Sequence, residues 1–197
     1  MSTVVIDSGG ANLASLRYAL QRLGADVTVS LDPTVIRQAE RVLLPGVGAA
    51  GAAMQRLRSA GLVPVLRELE KPLLGICLGM QLLFEHSAED DTDTLGLMTG
   101  RVERLPASPE LPAPHMGWNT LNALRADPLL AGLQLTDRCY FVHGYFASGH
   151  LPDVVATSEY GQSIAAVVRR AHIAGVQFHP ERSGAVGAAI LRNFLNS

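Results

Sequence analysis

Residues 72–81, P-L-L-G-I-C-L-G-M-Q, constrain the fold of this chain more than any other stretch. An apolar, strand-like run ends at Cys77 and a helix-like run begins directly after it, so the chain must turn sharply at the cysteine. Gly75 and Gly79 stand two residues away on either side and leave room for neighbouring backbone. A strand, a sharp turn and a helix around one nucleophilic side chain form the nucleophile elbow, G-x-S-x-G, here with sulfur in place of oxygen.

Composition restricts the class of protein. The chain has 197 residues, 48% of them hydrophobic, which fits one domain over residues 1–197 with a sizeable core. Its formal net charge of −2 gives no basic surface for nucleic acid. Cys77 and Cys139 lie far apart without a C-x-x-C pair, which argues against a disulfide framework or a cysteine zinc site. We therefore expect no metal, no cofactor and no nucleic-acid partner.

The start of the chain, M-S-T-V-V-I-D, lacks the charged region and long apolar core of a signal peptide. Residues 73–84 form the most apolar later stretch, but Gln81 interrupts them and they fall short of the ~18 residues of a membrane span. These features predict a cytoplasmic protein with no membrane partner.

Strand-like and helix-like stretches alternate in the first half of the chain. Short apolar runs predict strands at 3–6, 27–29, 41–44 and 72–76. Helical patterns follow each of them, at 13–23, from 33, at 52–57 and 63–69, and at 80–86. This alternation predicts a mainly parallel sheet covered by helices on both faces, a three-layer α/β sandwich.

The pattern changes after residue 87. Short strand candidates lie at 100–104, 139–146, 154–158, 164–169 and 173–178, before a closing helix at 185–195. Their hairpin-like spacing predicts antiparallel strands that extend the sheet.

Cys77 needs activation to act as a nucleophile, because a free thiol has a pKa of ~8.5 and is mostly protonated at neutral pH. The helix start after Cys77 favours negative charge. His179 follows the predicted strand 173–178, and the strand ends of a mainly parallel sheet are where active sites gather. Glu181 is placed to accept the other N–H of the imidazole. Together they predict a Cys–His–Glu triad with the roles of Ser–His–Asp.

Each triad residue also has a structural interpretation. A lone cysteine in an apolar run is more often a core residue, and we assign Cys139 to the core. A lone histidine such as His179 is more often structural. The flanking glycines, the helix after Cys77 and His-x-Glu at a strand end jointly favour catalysis.

Acyl transfer also requires an oxyanion hole, a pair of N–H groups aimed at the developing negative charge. The Leu78 N–H, directly after the nucleophile, is one candidate donor. The segment P-G-V-G at 45–48 follows another strand, and Val47 or Gly48 is the candidate source of the second donor. A glycine-rich turn without a chemical role is the alternative. The segment lacks G-x-x-x-x-G-K-[ST], so nucleotide binding is not supported.

These motifs resemble the class I (triad) glutamine amidotransferases. The resemblance lies in G-I-C-L-G-M-Q at 75–81 and H-P-E at 179–181. P-G-V-G at 45–48, H-M-G-W-N at 115–119 and F-V-H-G-Y at 141–145 resemble one branch, the glutaminase subunits of imidazole glycerol phosphate synthases in histidine biosynthesis. The resemblance runs from about residue 4 to residue 194 and implies a flavodoxin-like fold.

The resemblance implies hydrolysis of glutamine to glutamate and ammonia through a glutamyl thioester on Cys77. It implies that His179 protonates the leaving ammonia and that Glu181 orients His179. The implied contacts to L-glutamine are Gly46, Gly48, Gln81, Glu89 and Tyr145. For Glu89 the alternative is a solvated acidic loop.

The resemblance also implies a heterodimer with a (β/α)₈-barrel cyclase subunit. This partner would receive ammonia through a tunnel and make imidazole glycerol phosphate and an aminoimidazole carboxamide ribotide. Asn12, Trp118 and Tyr140 occupy positions that in the family face the partner. The alternative for Trp118 is a core aromatic residue.

Three residues depart from the family pattern: Ser8 replaces Tyr, Ala11 replaces Gly, and Gly144 replaces Ser or Thr. At residue 144 a lost hydroxyl would leave backbone N–H groups to bind glutamine. Two other functions stay open, namely another triad amidotransferase subunit, as in anthranilate or pyridoxal phosphate synthesis, and a catalytically silent regulatory or scaffold protein. The H-M-G-W-N segment argues against the first, and the complete triad argues against the second.

Overall fold

The computed structural model describes residues 2–8, 13–134, 136–148 and 151–197. In these residues the strands are, in chain order, β1 (Ser2–Ile6), β2 (Asp26–Ser30), β3 (Arg41–Gly46), β4 (Leu73–Cys77), β5 (His86–Ser87), β6 (Thr92–Asp93), β7 (Arg101–Arg104), β8 (His115–Thr120), β9 (Asn122–Ala123), β10 (Arg138–His143), β11 (Tyr145–Ser148), β12 (Val154–Glu159), β13 (Ser163–Arg170) and β14 (Ile173–Val176). The helices are α1 (Leu13–Arg22), α2 (Pro33–Gln38), α3 (Ala50–Ser59), α4 (Leu62–Arg67), α5 (Leu78–Gln81) and α6 (Gly184–Leu195). Short 3₁₀ turns occupy Glu89–Asp91, Pro128–Leu130 and Pro180–Arg182.

An eight-stranded sheet forms the centre of the fold, in the order β2-β1-β3-β4-β14-β13-β12-β9. The five strands from β2 to β14 run parallel, and β13, β12 and β9 continue the sheet antiparallel. The predicted mainly parallel sheet with an antiparallel extension is therefore confirmed. Strand β14 differs in detail, because it runs parallel to β4 rather than antiparallel.

Both faces of the sheet are buried under helices. On β1, Val4 and Ile6 pack with buried residues of α2, α3 and α4, whereas Val5 between them packs with α1 and α6. Alternate side chains of a strand point to opposite faces, so an entirely apolar strand suits a sheet covered on both sides. Each fully buried aliphatic side chain contributes roughly 1.5–3 kcal/mol. The result is the three-layer sandwich that the sequence predicts.

The helix predicted at 80–86 is wrong beyond Gln81. Helix α5 makes a single turn, and His86 already belongs to β5, which pairs with β6 and β7. Instead of continuing a helical ladder, the carbonyls of residues 82–84 accept hydrogen bonds from the N–H groups of residues 95–97. This competing pairing holds the segment in the core and ends the helix.

The strand predicted at 139–146 is two strands that belong to different sheets. Strand β10 pairs with β8, and β11 pairs with β7 in a four-stranded sheet ordered β11-β7-β5-β6. The break falls at Gly144, and β8, which carries H-M-G-W-N, has no apolar alternation and was not predicted. The candidates at 100–104 and 139–146 therefore form small sheets of their own instead of extending the central one.

Among the described helices, none is long and apolar enough to cross a membrane.

Candidate active site

Cys77 lies at a strained turn between β4 and α5. Its φ of 53° and ψ of −111° are unusual for a residue with a side chain, at a cost of roughly 1–3 kcal/mol. Neighbouring backbone lies so close to Gly75 and Gly79 that neither position has room for a side chain. A Cβ on Gly79 would lie 1.7 Å from the Leu44 carbonyl oxygen, and one on Gly75 would lie 2.6 Å from the Gly79 oxygen. The elbow is therefore possible only with glycine at these positions.

His179 and Glu181 form a buried pair at the neighbouring strand end. His179 Nδ1 lies 2.8 Å from Glu181 Oε1, and their side chains are 4% and 2% exposed. Because a carboxylate only accepts, Nδ1 carries the hydrogen in this bond, and a further hydrogen bond joins the imidazole to Cys77. The structure thus brings together the three residues of the predicted triad.

The charges around His179 favour its protonated form. Burial lowers the pKa of His179, but its hydrogen bonds to Cys77 and Glu181 and the negative charges of both groups outweigh burial and raise that pKa to about 10. At neutral pH the imidazole is therefore an imidazolium beside the sulfur. An imidazolium beside a nucleophilic sulfur can give its proton to a leaving group.

Strand β10 holds the backbone of His179 in place. The His179 N–H donates to the Tyr140 carbonyl over 2.9 Å. The Ser183 hydroxyl donates to the His179 carbonyl over 2.7 Å and accepts from the Tyr140 N–H over 2.9 Å. The sequence reasoning missed Ser183, since nothing in its neighbourhood distinguishes it from any serine that starts a helix.

A cavity of about 290 Å³ opens beside the sulfur. Its walls include most of the predicted oxyanion and glutamine residues, namely Val47, Gly48, Leu78, Gln81, Glu89 and Tyr145, with Cys77 and His179. Gly46 lies just outside it, as the register partner of Cys77 at the end of β3. Leu78 is the first residue of α5, so its N–H lacks a partner within the helix.

Glu89 is a half-buried residue that lines the cavity, within a short turn whose neighbours Asp90 and Asp91 are exposed. Its carboxylate accepts the Ala50 N–H at the start of α3 over 2.9 Å. Burial raises the pKa of Glu89, partly offset by the Ala50 hydrogen bond, and the neighbouring Asp90 raises it further. Asp90 accepts the Gly51 N–H in the same way over 3.3 Å.

A pair of neutral histidines that the sequence reasoning did not assign adjoins the cavity. His115 Nδ1 lies 3.1 Å from His143 Nε2, and His143 Nδ1 lies 2.8 Å from the Tyr145 carbonyl. Burial lowers the pKa of each to about 4. Both histidines stand within the family motifs, but a histidine between apolar residues gives no signal that separates such a pair from ordinary core residues.

Trp118 and Tyr140 form an aromatic surface on β8 and β10. Trp118 is 52% exposed, so the alternative that it is a core residue is wrong. Its ring lies edge-on to Tyr140 at 5.8 Å between centroids, and the Arg182 guanidinium lies 4.7 Å from the Tyr140 centroid. Asn12 and Ala11 lie outside the described residues.

The remaining predictions concern Cys139 and two departures from the family pattern. Cys139 is fully buried, which confirms its assignment to the core and raises its thiol pKa to about 12. Gly144 borders the cavity with open space where a side chain would start. The Ser8 hydroxyl donates to the Pro45 carbonyl, next to the Gly46–Gly48 segment. In the described part of the chain, no group of three or more His, Cys, Asp or Glu side chains is arranged to hold a metal ion.

A sequence model of the class-I glutamine amidotransferases matches residues 4–197. The chain belongs to this family. It is 54% identical over 191 residues to the imidazole glycerol phosphate synthase subunit HisH of Xanthomonas axonopodis pv. citri, covering 97% of this chain and 95% of the relative. The HisH subunit of Xylella fastidiosa (strain Temecula1) is 53% identical with the same coverage. The crystal structure of a glutamine amidotransferase from Thermotoga maritima aligns with a TM-score of 0.73 at 17% identity, over 100% of this chain and 96% of that one, and supports the fold alone.

Proposed function

We propose that this chain is the glutaminase subunit of an imidazole glycerol phosphate synthase and hydrolyses glutamine to glutamate and ammonia. The observation that carries the proposal is the strained Cys77 beside the buried His179–Glu181 pair, at the mouth of a cavity. A single domain over residues 1–197 carries the activity, and the reaction takes place in the cytoplasm.

In the first half-reaction the Cys77 thiolate attacks the side-chain carboxamide carbon of glutamine. The new C–S bond pushes the carbonyl electrons onto oxygen, where the Leu78 and Val47 N–H groups stabilise the negative charge. As the oxyanion collapses, the C–N bond breaks and the His179 imidazolium gives its proton to the leaving nitrogen. Ammonia departs and leaves a glutamyl thioester on Cys77.

In the second half-reaction water replaces ammonia. The now neutral His179 takes a proton from the water as it attacks the thioester, the C–S bond breaks, and glutamate leaves. The thiolate and the imidazolium are restored, so the net reaction consumes one glutamine and one water. Glu181 keeps the imidazole in the required tautomer throughout.

The cavity provides contacts for the rest of the substrate. The Glu89 carboxylate pairs with the α-ammonium of the substrate glutamine. The side chain of Gln81 accepts a hydrogen bond from an N–H group of the same substrate. Gly46, Gly48 and Tyr145 contribute backbone groups. A cavity of about 290 Å³ accommodates a free amino acid rather than a peptide.

The partner is a (β/α)₈-barrel cyclase that docks over Trp118, Tyr140 and Asn12 and receives the ammonia. Ammonia that escapes into water at neutral pH becomes ammonium and loses its nucleophilicity, so a sealed transfer favours a tight heterodimer. The exposed Trp118, packed against the half-buried Tyr140 beside Arg182, has the composition of an interface centre.

The test is a glutaminase assay of the complex with the cyclase and its nucleotide ligand. Cys77→Ala abolishes glutamine-dependent synthesis but leaves ammonia-dependent synthesis intact, because only the release of ammonia needs the thiol. Cys139→Ala is the matched control and keeps both activities. A Cys77→Ala complex that still hydrolyses glutamine at the wild-type rate would refute the proposal, and a wild-type complex without glutaminase activity would indicate a scaffold.

A further inference from the structure

Gln177 connects the nucleophile to a wall of the substrate cavity. It is fully buried and follows β14, two residues before His179, where its N–H donates to the Ala166 carbonyl over 2.9 Å. Its side-chain Nε2 lies 3.8 Å from the Cys77 sulfur, and its Oε1 lies 3.0 Å from Gln81 Nε2. The residue has no place in the triad, the oxyanion hole or the glutamine contacts described above.

One backbone carbonyl determines how both amides are oriented. The Tyr145 carbonyl can only accept, and it lies 2.8 Å from Gln81 Nε2, so the nitrogen of Gln81 must face it. The second hydrogen on that nitrogen then points to Gln177, which must present its oxygen. It follows that the Gln177 nitrogen faces the Cys77 sulfur and donates to it.

This orientation leaves Gln81 with one free polar atom. Both of its amide hydrogens are used inside the protein, on Tyr145 and Gln177. Gln81 lines the cavity, so it offers a ligand only the acceptor Oε1. An acceptor there binds an N–H group of glutamine and offers nothing to the carboxylate of the glutamate product.

We propose that Gln177 is a positioning residue for the glutaminase reaction. Its amide N–H stabilises negative charge on the Cys77 sulfur, and its carbonyl oxygen holds Gln81 so that only an acceptor faces the substrate. The inference rests on the proposed function and adds to it a residue that tunes the nucleophile and selects glutamine.

The first test measures the alkylation of Cys77 by iodoacetamide in the full chain as a function of pH. Gln177→Met removes both contacts at nearly constant side-chain length. It slows alkylation at pH 7 by about three- to tenfold and displaces the pH profile upward, because a donor to a charged sulfur is lost. Gln134→Met changes an exposed glutamine that does not line the cavity, and it alkylates within about twofold of wild type. Cys77→Ala gives the background from Cys139.

Gln177→Glu keeps the proposal testable if the methionine variant does not fold. The glutamate carboxyl group has the same shape and still accepts the hydrogen bond from Gln81 Nε2. It has no amide N–H to donate to the Cys77 sulfur. Its alkylation is slower than wild type, and the deficit grows as pH rises and the carboxylate ionises beside the sulfur. Wild-type rates and pH profiles in both folded variants would overturn the inference.

Steady-state kinetics of the complex with the cyclase separate the two roles. Gln177→Met lowers kcat and raises KM for glutamine, whereas Gln81→Met mainly raises KM. Alkylation needs no substrate, so it reports on Gln177 even if the wild-type complex does not hydrolyse glutamine. An active wild type with unchanged kcat and KM in folded Gln177→Met would overturn the inference and leave the proposed function standing.

Discussion

Ile76 and Val176 lie opposite each other on the neighbouring parallel strands β4 and β14. Cys77 comes one residue after the first, and His179 comes three residues after the second. Because both strands end at the same edge of the sheet, this register brings together two side chains that are far apart in sequence. Cys77 is the last residue of its strand, whereas His179 lies beyond the end of β14, directly before the 3₁₀ turn Pro180–Arg182, and its imidazole reaches back to the sulfur.

Against the lowering effect of burial, hydrogen bonds and negative charges from Cys77 and Glu181 raise the pKa of His179 to about 10. Glu181→Gln removes the Glu181 charge but keeps Cys77, so we expect the pKa of His179 to fall part of the way towards its ordinary value. We expect kcat of the complex to fall about a hundredfold or more. We also expect the alkaline limb of its pH profile to move down by about one unit or more. Glu68→Gln, an exposed substitution remote from the cavity, leaves the profile in place. An unmoved alkaline limb in Glu181→Gln would show that the carboxylate does not support the imidazolium.

The same pairing makes stability depend on pH. The folded-state pKa of His179 is raised above its ordinary value of 6.5, so the pairing stabilises the fold fully below pH 6.5. This contribution is lost as pH rises towards about 10. Denaturant unfolding should therefore show the wild type losing its advantage over Glu181→Gln across that range. An advantage that grew with pH would contradict this assignment.

Gly79 is required by sterics rather than by backbone conformation. Gly79→Ala places a Cβ 1.7 Å from the Leu44 carbonyl oxygen, and rigid backbone on both sides cannot give way. We expect a loss of more than about 4 kcal/mol in the free energy of unfolding, or failure to fold. Gly24→Ala is the matched control, since its φ is +81° but it has open space, and it costs about 1–2 kcal/mol. Equal losses in the two variants, measured by urea unfolding, would contradict the crowded elbow.

We expect Glu89 to combine its structural contact with the binding of the substrate ammonium. Glu89→Gln keeps an oxygen for the Ala50 N–H but removes the charge. We expect KM for glutamine to rise about tenfold or more with little change in kcat or thermal stability. Asp90→Asn, which changes the neighbouring helix-capping carboxylate, serves as the control and keeps KM. An unchanged KM in Glu89→Gln would leave this residue with its structural contact alone.

We expect Trp118 to contribute more to binding of the partner than to the fold. Trp118→Ala should lower the free energy of unfolding by about 1–2 kcal/mol, because the half-exposed ring still packs edge-on against Tyr140. Titration calorimetry with the cyclase should show affinity reduced by about thirtyfold or more. Leu124→Ala removes another exposed hydrophobic residue, 62% exposed and outside this surface, and keeps the affinity. Equal affinities for all three proteins would place the interface elsewhere.

Local patterns in the sequence were sufficient for the elbow and for the parallel strands β1 to β4, but not for the direction of β14. The turn at Gly75, Cys77 and Gly79 is determined by residues that are close in sequence, so a local motif is enough to predict it. An apolar run such as 72–76 is typical of a strand that is buried on both faces. The prediction of a helix beyond Gln81 was wrong because the N–H groups of residues 95–97 donate to the carbonyls of residues 82–84. No local sequence pattern indicates that contact.

Long-range pairing also explains what the sequence left unassigned in the site. Gln177 and Ser183 act through partners that are distant in the chain, Cys77 and Gln81 for one and Tyr140 for the other. Their residue types carry no signal of that pairing. The break between β10 and β11 at Gly144 likewise depends on distant partners, since β10 pairs with β8 and β11 pairs with β7. The polar sequence of β8 does not indicate a strand.

Acid-quenched mass spectrometry of the complex during turnover tests the role of Cys77 most directly. With glutamine present, the peptide that contains Cys77 should carry one added glutamyl group, absent without glutamine and absent in Cys77→Ala. Glutamine hydrolysis by a complex whose Cys77 peptide never carries the glutamyl group, together with undiminished hydrolysis by Cys77→Ala, would contradict a thioester at this cysteine.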